Sequence, residues 1–422
     1  MHKSRRTRHN YPRTALWVSA VLAVAALVWM LVAVPALVKY PTDLDVSPRY
    51  AGTFTVLVDP ATAAPLDKPM ELPLTVDRRI QSVSDESGSS RVFVRETIHQ
   101  RAGDLIDVTQ TNGYVMDRST LENVVDDRAF AFDESNVVDR SGSYRLNLPF
   151  GTSTDETYEV YKNEIGDTYT LKGDRETPTS DVEGLELSNF TANVDEAPLS
   201  EAYLAELNGV VPLPESLTLD ELKPQLLDQG IDVDAVVTAL TPVLTPEDAS
   251  MLSAFAAEPI PLEYVLSFDG RAAVEPVTGA EVKVGVTETV GARPQLTSLP
   301  ELQEVLGHYP DVPEAVDAGA RLDGLATAPA TPLFTYTYEQ TPGSVADIAG
   351  EASSMRNQVL LAKVWVPSGL AATAVLSLVV GAAVYWHRRP RRLDGALSTG
   401  PVPEAPPTNE TLEPVTMEGK PT

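Results

Sequence analysis

The sequence predicts an α+β membrane protein, with a β-rich extracytoplasmic domain carrying inserted short helices and one transmembrane helix at each end. Three observations predict it. Two apolar runs without a charge lie near the two ends. Short β-rich runs punctuated by Gly, Asp, Asn and Pro fill residues 50–195 and 260–295. One stretch, 199–257, switches to helical spacing.

The apolar runs cover residues 15–38 and 364–386, 24 and 23 residues. At a rise of ~1.5 Å per residue each spans a hydrocarbon layer of ~30 Å. Lys3, Arg5, Arg6, Arg8 and Arg13 precede the first run, and Arg388, Arg389, Arg391 and Arg392 follow the second. Basic flanks stay in the cytoplasm, so both termini are expected there and residues 40–363 outside, as in a two-pass inner-membrane protein. Trp17, Trp29, Tyr40, Trp365 and Trp386 are candidate interfacial anchors. A cleaved signal peptide ending near Val34 and Ala36 is the alternative for the first run, which is longer than a usual signal core. Ala15, Ser19, Ala23, Ser377 and Gly381 have small-residue spacing, which Ala-rich spans also show by chance. Neither run has an ionisable residue at its centre, so no ion path through them is expected.

The expected organisation is a basic N-terminus at 1–14, a span at 15–38, β-rich parts at 39–198 and 258–340, and a helical insertion at 199–257. A juxtamembrane helix at 341–363, a span at 364–386 and a disordered Pro-rich cytoplasmic tail at 387–422 complete it. The β runs are read at 53–58, 72–76, 91–99, 113–116, 144–148, 158–161, 168–171, 185–194, 264–268, 273–277, 281–289 and 334–339. Tyr144, Leu146, Leu148 and Phe150 alternate with Arg145 and Asn147, a half-buried strand pattern. In 218–227, Leu219, Leu222 and Leu226 share a helix face, and a second helical piece is expected at 299–318. Val345, Ile348, Ala352, Met355, Val359, Ala362 and Val366 form an apolar stripe running into the second span. That stripe, with Val345, Ile348, Met355 and Val359 at its centre, is expected to pack on the β domain or to form a seam with another helix. Asp347, Glu351 and Arg356 fall on its other faces, and Asp347 and Arg356 are expected to tolerate substitution.

The chain carries a formal net charge of −28, and residues 39–363 hold 22 of its 32 basic and 55 of its 60 acidic residues, a net −33. Such a surface repels nucleic acid, so no nucleic-acid partner is expected. With no cysteine, disulfides, thiolate metal sites and a cysteine nucleophile are excluded. His99 and His308 are the ectodomain's histidines and neither has a partner at metal-ligand spacing. The acidic pairs Asp126–Asp127, Asp133–Glu134 and Asp232/Asp234 lack a calcium-loop pattern. No nucleophile elbow, phosphate loop or dinucleotide fingerprint appears. No catalytic residue, no cofactor and no metal site are therefore expected, and the chain is not expected to be an enzyme.

Turn signatures are the most recognisable motifs. Asp117-Arg118-Ser119-Thr120 and Asp139-Arg140-Ser141-Gly142 suit tight turns, as does Glu275-Pro276-Val277-Thr278-Gly279. Asp139, Arg140, Gly142, Pro276 and Gly279 are thus candidate structural turn residues. With Leu148-Pro149-Phe150-Gly151, Val182-Glu183-Gly184-Leu185 and the two end spans, this order of features resembles an actinobacterial envelope membrane-protein family often labelled porin PorA. The resemblance covers most of residues 14–390, and it implies a cell-envelope protein that forms a channel. The outline of two end spans around a β domain with a helical apex is also similar to the class B scavenger receptors, which pass lipids through the ectodomain, an analogy of architecture alone. Three functions are therefore expected in order: binding or transfer of a lipid or other hydrophobic ligand by the ectodomain, a structural or accessory role in an envelope complex, and channel formation. The expected partners are membrane lipids and another envelope protein or a second copy of the chain.

Overall fold

A computed structural model describes residues 11–58, 65–211, 213–325 and 328–388. Lys3, Arg5, Arg6 and Arg8 of the expected basic N-terminus, and Arg389, Arg391, Arg392 and the rest of the expected tail, lie outside them. The elements run in order α1 (Tyr11–Val28), a π turn (Trp29–Ala33), α2 (Val34–Leu37), β1 (Asp45–Val46), β2 (Arg49–Val58), β3 (Pro65–Ser82), β4 (Arg91–Ala102), β5 (Ile106–Asp117), β6 (Thr157–Lys162), β7 (Asp167–Gly173), β8 (Thr179–Val182) and β9 (Leu185–Pro198). They continue with α3 (Glu201–Asn208), β10 (Ser216–Leu217), α4 (Leu219–Asp228), α5 (Val233–Leu240), α6 (Pro246–Ala257), β11 (Ile260–Glu275), β12 (Ala280–Pro294), α7 (Leu299–Gly307), α8 (Pro313–Leu325) and β13 (Thr331–Gln340). The chain ends in α9 (Pro342–Leu360), a second π turn (Leu361–Trp365) and α10 (Val366–Arg388). This is an α+β protein with an apolar helix at each end, and the stretches Thr14–Leu37 and Pro342–His387 are long and apolar enough to cross a membrane.

The chain divides into two compact units, 1–26 with 369–422 and 27–368. Within the first, Gly381 lies against Ala15, so close that a Cβ at 381 would meet the Ala15 methyl at 2.6 Å. The small-residue spacing is thus used in a close helix approach. Ser19, buried beside it, returns its hydroxyl to the Ala15 carbonyl at 2.9 Å.

The second unit is built on one antiparallel sheet of order β5-β4-β3-β2-β13-β12-β11-β9-β7-β6. The segment 118–156 ties its two ends together and curls it. This segment bridges Phe130 to Gly113 of β5 and Tyr144 to Val160 of β6. Asn163, just past β6, donates to the Tyr114 hydroxyl of β5 at 2.9 Å.

The strands are longer than the sequence suggests. The run at 72–76 belongs to an 18-residue strand, and β11 and β12 have 16 and 15 residues. Pro and Gly inside strands misled the reading. Pro69 and Pro73 lie before Leu74, where pairing with β4 begins, so on that side of β3 no ladder needs their missing N–H. Gly113 lies inside β5 because the Phe130 ring occupies the space of its absent side chain. A second difference concerns 144–148, which is not a strand of the sheet: only Tyr144 makes a bridge.

Two ends of this unit can be distinguished. At the stem end are the residues entering from α2, the β11–β12 turn and the start of α9. At the cap end, α4, α5, α7 and α8 bury Leu222, Leu226, Leu240, Leu306, Ala315 and Leu322 in one core. The helical pieces on either side of β11 and β12 therefore form one cap. α6 joins it through a polar anchor, the buried Asp248, which accepts from Tyr309, from Thr245 at 2.8 Å and from His308 at 3.1 Å.

Candidate functional site

The interior of the curled sheet holds two spaces of opposite chemistry. The larger, about 540 Å³, lies at the cap end. Phe54, Val56 and Val58 of β2, Leu333 and Phe334 of β13, and Ala292 of β12 supply one wall. Val210, Val211, Leu213 and Leu217, between α3 and α4, supply another. Among the described residues, the polar lining is Ser216, Glu221, Gln225, Thr331 and Tyr264. The Tyr264 hydroxyl is already used, donating to the Pro214 carbonyl at 2.6 Å. Beneath the cavity, Phe54 stacks on Tyr336 with centroids 4.8 Å apart.

The middle of the interior is ionic and nearly filled, with a cavity of about 100 Å³. Arg78 of β3 bonds Glu96 of β4, and Glu96 also accepts from Tyr114 at 2.7 Å and Asn112 at 3.1 Å. Burial opposes ionisation of Glu96, but the charges of Arg78 and Arg145 outweigh it and hold its pKa at about 2. Burial and the Glu96 charge push Tyr114 up to about 12. Lys162 donates to Glu288 at 2.8 Å and lies 3.3 Å from Glu164. Burial alone would lower the Lys162 pKa; these two carboxylates raise it instead. Arg145, read from sequence as the outer face of a strand, faces this cavity.

The turn residues do different jobs. Asp139 accepts from the Ser141 N–H at 2.9 Å, and Gly142 adopts φ +77°. Arg140 is more than a turn residue. It is buried, donates to the carbonyls of Gly113 and Phe130 at 2.9 and 2.8 Å and to Asn163, and stacks 4.5 Å from the Tyr114 ring centre. It thereby joins the two ends of the sheet. Pro276 and Gly279 belong to the β11–β12 turn, where the buried Glu275 carboxylate accepts from Thr278 N and Oγ1, both at 2.8 Å. Gly279 has φ +73°, and a Cβ there would run into the Leu148 carbonyl.

In the stripe, Val345 is buried with Ala349, Ala352, Leu187 and Val282, and Val359 with Val38 and Ala362. Ile348 and Met355 are half-buried beside Leu44, Ile80 and Leu146. Arg356 was expected on a tolerant face. Instead its Nε lies 3.4 Å from the buried Glu275.

A joint missed by the sequence reading sits between Trp29 and Ala362. Each π turn ends two residues before a proline, Pro35 or Pro367. Proline lacks an N–H and crowds the carbonyl four residues back, which a widened turn relieves. The Val366 N–H goes to the Leu361 carbonyl, and Pro367 has none to give. The Ala362 carbonyl is served instead by the Trp29 indole N–H at 2.9 Å. A Trp at the sixth position before a Pro is a visible signal in hindsight, but its partner lies 333 residues away.

Among the described residues no group of three His, Asp or Glu is placed to hold a metal ion. Fold and interior together define a β domain with a helix of membrane-spanning length before and after it in the chain, and a mostly apolar pocket at one end. The chain belongs to the Porin PorA family, whose profile matches residues 12–383. No curated protein matches it.

Proposed function

We propose that this PorA-family protein is a two-pass cell-envelope membrane protein whose ectodomain takes up one hydrophobic ligand at its cap end. The observation that carries this reading is the apolar cavity of about 540 Å³, within the ~300–1,000 Å³ range of small-molecule sites. The basic flanks of both apolar stretches support cytoplasmic termini with 40–363 outside, and the neighbouring partners are then membrane lipids. Mass spectrometry of the full-length protein purified in mild detergent tests the reading. One lipid-sized species per chain is expected, at lower occupancy in Val211→Trp, which narrows the cavity. An empty wild-type protein, or equal occupancy in the variant, refutes it.

The family's name favours a second reading, a channel, and the polar interior of the sheet is compatible with it. Against it stands the ionic packing of that interior, where Arg78–Glu96 and Lys162–Glu288 leave only about 100 Å³. Conductance across planar bilayers containing the purified protein decides for the channel. Its absence, with a bound lipid present, decides for the binder.

A further inference from the structure

We infer that the cap-end cavity selects a single-chain lipid with an uncharged, hydrogen-bonding head, such as a long-chain alcohol or monoacylglycerol, and discriminates against fatty acid anions and other acidic lipids. The inference rests on the hydrophobic-ligand reading above and adds the chemistry of the head.

Three observations carry it. First, among the described residues no Lys or Arg lines the cavity. A carboxylate or phosphate drawn into it would be desolvated without a counter-charge, a cost that apolar contacts to the tail do not recover. Second, the lining's acid, Glu221, is on the wrong side of the ledger for an anion. Its carboxylate accepts from Thr218 N and Oγ1, both at 2.8 Å, which fixes a negative charge at this wall. The ectodomain's net −33 adds a repulsive field. Third, the polar groups fall together. Ser216 and Gln225 are half-buried on the segment that leads into and forms α4, while the facing wall is Phe54, Val56, Leu333 and Phe334. The Ser hydroxyl and the Gln amide each donate and accept, which suits an alcohol or ester head. The wall opposite, apolar apart from Thr331 at the start of β13, takes the chain. The buried cations Arg78, Arg145 and Lys162 line the separate middle cavity below the aromatic layer and not this one.

The test uses the full-length protein in detergent, with a fluorescent neutral lipid displaced by 1-hexadecanoylglycerol, hexadecanoate or hexadecyltrimethylammonium at pH 8. The glycerol ester is expected to compete about tenfold or more better than hexadecanoate. Gln225→Lys is expected to close that gap by strengthening hexadecanoate about tenfold while weakening the ester, whose head loses the amide acceptor. Hexadecanoate competing as well as the ester in the wild-type protein overturns the selectivity and leaves the cavity as a ligand site. So does the ammonium competing best. Failure of all three to displace the probe, or of the probe to bind, overturns the ligand reading itself.

Discussion

The cap-end and middle interiors are walled by the same strands, yet their chemistry is opposite. β2 offers Tyr50 to the middle and Phe54 and Val56 to the cap end; β13 offers Tyr338 and Tyr336 to the middle and Phe334 to the cap end. Along β3 the inward positions read Leu74, Val76, Arg78, Ile80, with a charge substituted once into an apolar series. The strand period decides which residues face inward, and the residue chosen at each inward position decides what that level does. At the middle level Arg78 pairs with Glu96 on the neighbouring strand, and Lys162 of β6 reaches Glu288 of β12 across the curl. At the cap level nothing polar spans the gap, so space remains. The comparison teaches that the crowded interior is the one lined with paired charges, while the larger volume lies where the lining is mostly apolar and Glu221 is the charged residue among those described.

The most severe way to break the middle level is to remove one partner of its buried pair. Glu96→Ala should destabilise the second unit by about 3–5 kcal/mol, because Arg78 is left buried and uncompensated. The double variant Arg78→Met, Glu96→Leu should recover most of that loss, since an apolar pair needs no desolvation. Chemical denaturation of the protein in detergent, followed by circular dichroism, measures both. The same pair sets an acid limit. The Glu96 carboxyl is depressed in the folded state, so its contribution is complete above roughly pH 4.3 and vanishes as the pH falls toward about 2. Stability of Glu96→Gln should accordingly fall less than that of wild type over that window.

The stem end should break at its turn and its stripe. Gly279→Ala adds both left-handed strain and a clash with the Leu148 carbonyl, and about 1–3 kcal/mol is expected from the strain alone. Gly142→Ala, also at positive φ but with open space around it, should cost less. Arg356→Ala should cost about 1–3 kcal/mol, because Glu275 loses its cation while remaining buried. Asp347→Ala should be silent. Limited proteolysis of the membrane-embedded protein compares all four, and equal sensitivity of Arg356→Ala and Asp347→Ala would show the ion pair to be idle.

The helices and the β class were legible because their signals are local. Uncharged runs, a 3- and 4-residue stripe and turn glycines need no partner to be read. The curl, the single cap and the interior charges were not, because each depends on contacts between distant segments. Arg140 reads as a turn residue until Gly113, Phe130 and Asn163 converge on it. Arg145 alternates with Tyr144 and Leu146 as a solvent-facing residue would, yet the segment leaves the sheet and turns its guanidinium inward. Leu219, Leu222 and Leu226 announced a helix face but not that α8, over 90 residues later, would cover it.

The smallest expected effect sharpens the comparison at the point where chain and membrane helices meet. There the unsatisfied group is a backbone carbonyl created by Pro367, and the Trp29 indole answers it across the joint. Trp29→Phe keeps the aromatic volume and removes the N–H, so it should cost about 1–2 kcal/mol from an unpaired buried acceptor. Pro367→Ala restores a main-chain donor and lets the wide turn relax toward ordinary helix, where the Val366 N–H reaches Ala362. In that background Trp29→Phe should cost almost nothing. The coupling energy from the four proteins, measured by chemical denaturation in detergent, is then expected at about 1 kcal/mol. Additive costs would mean that Trp29 contributes packing alone, and that the Ala362 carbonyl finds its partner in some other way. A coupling of the expected sign would make the indole a specific substitute for the N–H that proline lacks. The joint would then resemble the Lys162–Glu288 pair of the middle interior, where a buried polar group is met by a partner from a distant part of the chain.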